Sequence, residues 1–152
     1  MDLLLFDVVG EAFRAMLPPS FVDVHVQARH YGIKVWTGSS KPGREHYEAQ
    51  VIGPADVDGA TVLALEIGFH AEHPSEADND AVLDRLVEAE SRWRKTLGPE
   101  ATPDVFLGRA VHWRRLSETW PDPDLSDATI GLEVAGRLVD YVTALESIRL
   151  AR

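Results

Sequence analysis

Four stretches within residues 22–70 alternate apolar and polar side chains, and only short connections separate them. A period of two sends successive side chains to opposite faces of a strand. In FVDVHVQARH, Val22, Val24, Val26 and Ala28 alternate with Asp23, His25, Gln27 and Arg29. Ile33, Val35 and Thr37 then oppose Lys34 and Trp36, and Tyr47, Ala49 and Val51 oppose His46, Glu48 and Gln50. In ATVLALEIGFH, Thr61, Leu63, Leu65, Ile67 and Phe69 oppose Glu66, Gly68 and His70. Parallel neighbours need long crossovers that these connections do not supply, so the four strands read as an antiparallel meander.

On either side the period becomes helical. Residues 3–17 form a first helix with a narrow polar stripe of Asp7, Gly10, Glu11 and Arg14, stopped by Pro18-Pro19. A second helix at about 78–97 carries the stripe Val82, Leu86, Ala89, Trp93, Leu97 and ends at Gly98-Pro99. A short fifth strand near VHWRRL precedes a last helix at about 127–149, with Val134, Leu138, Val142, Leu145 and Ile148 on its apolar side. The order α-β-β-β-β-α-β-α implies an α+β two-layer sandwich: a mainly antiparallel sheet of four to five strands under three helices. No repeat or linker divides the chain, so residues 1–152 read as one domain. A chain of this length buries roughly 68–70% of its unfolded surface, enough for a core without disulfides.

Register arithmetic places the polar side chains in rows. With Tyr31-Gly32 as the first hairpin turn, Gln27 faces Trp36 and Arg29 faces Lys34. Matching faces across the next loops sets Trp36 beside His46, Lys34 beside Glu48, and His46 beside Glu66. The expected ligand-binding residues are therefore Trp36, His46, Glu66 and Glu48, with His25 nearby. In that reading Glu66 raises the pKa of His46 and makes it a general acid. The competing reading is a solvated face held by cross-strand pairs. No nucleophile or oxyanion hole accompanies the row, so no catalytic residue is assigned.

His70-Ala71-Glu72-His73 poses a second question. Positions i and i+3 of a strand face opposite ways, so His70 and His73 meet one metal only if the strand ends between them, as Pro74 permits. Glu72 and Glu76 would then add oxygen ligands. Elsewhere the motifs fail. Asp56-Val57-Asp58-Gly59 lacks the later ligands of a calcium loop. The glycine-rich stretch 38–43 matches neither a phosphate loop nor a dinucleotide fingerprint. No strand carries the acid-x-lysine pair of restriction-like nucleases. No cofactor is implied.

Charge narrows the partners. Twenty-five acidic against fifteen basic residues give a net charge of −10, which repels nucleic acid and anionic lipid. The apolar run at the N-terminus is broken by Asp2, Asp7 and Glu11, so it reads as an amphipathic helix, not a signal peptide. With no cysteine and no membrane-length apolar span, a cytoplasmic location is expected. Frequent arginine and alanine suggest a GC-rich bacterial genome. The first helix is apolar around most of its circumference, and the last carries Gly131 and Gly136, which allow close helix approach. Surplus apolar surface of this kind predicts a homodimer or a protein partner, hence a binding or adaptor module. A small enzyme or ligand-binding protein using the polar row, and a metal-binding protein, are the alternatives.

Overall fold

The computed structural model describes residues 3–151, with the side chains of residues 3 and 4 left aside; Asp2, used above, lies outside them. Among the described residues, four α-helices and six strands run in the order α1 (Leu3–Met16), β1 (Val24–Ala28), β2 (Gly32–Thr37), β3 (Glu45–Ile52), β4 (Ala64–Ala71), α2 (Glu76–Glu88), α3 (Glu90–Leu97), β5 (Thr102–Val105), β6 (Arg114–Pro121) and α4 (Ile130–Leu150). The sheet is antiparallel throughout, in the order β1-β2-β3-β4-β6-β5. The α+β class and the meander agree with the sequence, while the sheet gains one strand and the helices number four.

The extra helix comes from a break at Ala89, whose φ of −95° and ψ of 16° leave the helical ladder. The Trp93 indole N–H donates to the Leu86 carbonyl at 2.7 Å, taking an acceptor that an unbroken helix would give to its own backbone. The extra strand, β5, is short and contains Pro103. Proline is confined to sheet edges because it lacks an N–H, and β5 lies at the edge.

The apolar sides of the strands meet the helices. Ile33, Val35, Tyr47, Leu65, Ile67 and Phe69 are buried with Phe6, Val9 and Phe13 of α1 and with Val134, Leu138 and Val142 of α4. α1 packs on α4 and over β1 and β2, so much of its surplus apolar surface is covered within the chain; Val8 and Met16 stay exposed. Gly131 is where α1 comes close, since a Cβ there would lie 2.8 Å from Val8, whereas Gly136 has open space beside it.

Two expected registers are corrected. Arg29 N–H donates to the Gly32 carbonyl, so the first turn is His30-Tyr31, and His25, not Gln27, faces Trp36. Between β3 and β4 the shift is four residues: His46 faces His70, and Glu66 faces Gln50. Both shifts are even, so each side chain keeps its expected face. The β2–β3 register is as expected, with Lys34 facing Glu48.

Candidate metal centre

The sheet face away from the helices is polar yet buried. His46, Glu48, Glu66 and His70 are each less than 5% exposed. β3 contributes His46 and Glu48, β4 contributes His70, and Glu72 follows the last residue of β4, its N–H bonding the Arg44 carbonyl. Two His-x-Glu pairs are thus presented on one face. Because His46 and His70 are direct neighbours across an antiparallel pair, the two motifs converge with approximate two-fold symmetry. His46 Nε2 lies 3.0 Å from Glu48 Oε1 and 3.4 Å from Glu72 Oε2. His70 Nδ1 lies 3.2 Å from Glu72 Oε2 and 3.4 Å from Glu48 Oε1. All four donor atoms fit within 4.8 Å of one another.

The outward nitrogens are occupied. His46 Nδ1–H donates to the Gly43 carbonyl at 3.1 Å, and His70 Nε2–H donates to the Glu66 carboxylate at 2.8 Å. Fixing one nitrogen of a histidine against a carbonyl or carboxylate aims the other inward, as metal-binding histidines require. Glu66 is itself held by Gln50, and the outer oxygen of Glu48 accepts from Arg29 at 2.9 Å.

Electrostatics sharpens the arrangement. Three carboxylates, Glu48, Glu66 and Glu72, have one guanidinium within ion-pair distance, Arg29, while Arg115, the cross-strand neighbour of His70, pairs with none of them; with neutral imidazoles two negative charges therefore lack a direct partner. Burial of such a charge is costly without compensation. In the absence of an ion the protons supply it. Burial pulls the His70 pKa down, but Glu66, Glu48 and Glu72 overcome this and hold it well above its ordinary value. His46 behaves alike, with Glu48 and Glu72 outweighing burial. Burial pushes the carboxyls up, yet the imidazoles draw Glu48 far below its usual range and hold Glu72 at about 2.

Neighbouring elements shape the space. Gly68 of β4 faces Glu48 on one side and Ser117 on the other; a Cβ there would lie 2.5 Å from backbone atoms of Leu116 and Ser117. The connection between β5 and β6 crosses this face, and Phe106 meets the His70 ring edge-on at 4.8 Å. Fully buried Asn79 of α2 ties the parts together. It accepts from His73 N–H and donates to the carbonyls of His73 and His112.

Of the residues singled out in the sequence, His46, Glu48, His70 and Glu72 come together. Glu66 stands behind His70, not beside His46. His25 stacks on Trp36 at 5.6 Å, and Trp36 donates to the Ser39 carbonyl; neither belongs to the cluster. His73 and His70 do not converge. His73 bonds Glu45, a carboxylate that also pairs with Arg149 of α4 on the helical side, and Glu76 pairs with Arg114. The overlooked signal is the repeat of His-x-Glu at 46–48 and 70–72. Compared with family models, curated proteins and solved structures, the chain matches none.

Proposed function

We propose that this chain is a metal-binding protein whose centre is the set His46, Glu48, His70 and Glu72. One observation carries the reading: two imidazole nitrogens and two carboxylate oxygens face a common point while the opposite nitrogens are tied back. Zinc–ligand distances of about 2.0–2.2 Å imply ligand–ligand edges of roughly 3.3–3.6 Å in a tetrahedron. The four nitrogen–oxygen separations, 3.0–3.4 Å, are close to those edges, while the nitrogen–nitrogen and oxygen–oxygen separations are bounded at 4.8 Å and would have to close on an ion. A dication also places both compensating charges between the rings, rather than on two imidazoles whose centroids are 5.5 Å apart. Mixed imidazole and carboxylate donors suit zinc, ferrous iron or manganese better than copper(I) or calcium. Four protein ligands fill a tetrahedron, which is the character of a holding site, not of one with an open catalytic position.

The test is elemental analysis of protein purified without metal-affinity resin, followed by titration of the chelator-stripped protein with zinc. One ion per chain is expected, and His70→Ala should abolish its uptake. Protein that takes up neither zinc, ferrous iron nor manganese would leave the rival arrangement, two imidazolium ions locked between carboxylates, which the same contacts also satisfy.

A further inference from the structure

Arg115 is the exception among the buried acidic and basic side chains described. Glu48, Glu66, Glu118 and Glu146, like His46 and His70, each have an opposite charge within ion-pair distance. Arg115, 7% exposed, has none. Its Nε–H donates to the Val105 carbonyl and its Nη1 to Ser117. Asp104 faces it in register but turns its carboxylate to the Val105 N–H. Nη2 has no acceptor among the described residues, although no buried side-chain nitrogen or oxygen is left without a partner. That nitrogen therefore reaches open space. Arg115 also lines a cavity of about 310 Å³ between the single helical turn at Pro54–Asp56 and the β5–β6 connection, together with Thr119, Leu107, Asp56 and Asp58.

We infer that this cavity binds a small monocarboxylate through Arg115 and Thr119. A largely buried guanidinium with one accessible nitrogen and no ion-pair partner is a strong donor for a carboxylate oxygen. Thr119, on the same face of β6 beyond Ser117, also lines the cavity and offers its hydroxyl to the second oxygen. The volume is at the small end of ligand pockets, and Leu107 gives an apolar wall for a short aliphatic body. Asp56 and Asp58, which also line the cavity, oppose any anion and a dianion about twice as much, which sets carboxylates above phosphate dianions. The inference does not depend on the metal reading, because no metal donor lines this cavity.

The experiment follows ¹H–¹⁵N spectra of the chelator-stripped full chain during titration with butyrate and, separately, inorganic phosphate. Saturable shifts of the Arg115 Nε–H and of the amides of residues 117–119 are expected with butyrate, and weaker ones with phosphate. Arg115→Met should weaken butyrate binding by about tenfold or more. Asp56→Asn with Asp58→Asn, at exposed positions, should tighten it by about threefold at low salt. Absence of saturable shifts, tighter binding of phosphate than butyrate, or butyrate binding insensitive to both variants would overturn the inference. The aspartate pair keeps the test decisive if Arg115→Met fails to fold.

Discussion

Glu66 bonds the outward nitrogen of His70, so its charge acts on the centre through the ring. Glu66→Gln keeps an acceptor for that N–H and removes the charge. A loss of roughly 10–100-fold in zinc affinity is expected, as for other partners of metal-bound histidines. Competition against a chromophoric chelator measures it, and an unchanged affinity would mean that Glu66 does not tune His70. The chemistry of these side chains was legible in the sequence: His46, Glu48, Glu66, His70 and Glu72 all fall on the polar face or at its end. Their partners were not. Residues 53–63 separate β3 from β4 with a helical turn and an irregular stretch, so symmetric closure misplaced His46 against Glu66 by four positions. His73 misled because spacing alone ignores the turn beyond Ala71, which carries it toward Glu45.

At the level of strands and helices, Gly68 is the position where β4 and β6 tolerate least. Its φ of 155° and the 2.5 Å approach of backbone atoms leave no room for a methyl group. Gly68→Ala should destabilise the fold by about 1–3 kcal/mol, the usual cost of overpacking, and weaken metal uptake by moving His70. Denaturant unfolding beside a zinc titration checks both; wild-type values for the two would show that the strands part without cost. Alternation exposed the meander because one face meets helices, and even-numbered slips preserve that pattern while changing every neighbour. The pattern was blind to the break at Ala89, which depends on where the Trp93 indole finds an acceptor. It was blind to β5 as well, since a proline-bearing edge strand of four residues carries no periodic signal.

For the molecule as a whole, the proposed centre is expected to tie stability to pH in opposite senses with and without metal. In metal-free protein His46 and His70 titrate above their ordinary value of 6.5. Their contribution is complete below about pH 6.5 and is lost as pH rises through the folded values. Glu48, Glu66, Glu72 and Glu146 titrate below 4.5, so theirs is present above that pH and is lost on acidification. Zinc requires neutral imidazoles, so its stabilisation grows where the protons leave. At a hundredfold excess over Kd zinc adds about 2.7 kcal/mol, or roughly 5–10 °C in Tm for a chain of this size. With zinc concentration fixed, the gap between loaded and chelated samples should widen from about pH 6 to pH 8. A gap that stays constant in calorimetry would exclude proton–metal exchange at this site. Three of the four proposed donors sit on two neighbouring strands and the fourth, Glu72, directly follows one of them. Writing His-x-Glu twice onto facing strands of an unrelated antiparallel sheet, with a glycine opposite the first glutamate and an acceptor behind each ring, should therefore transplant the proposed site.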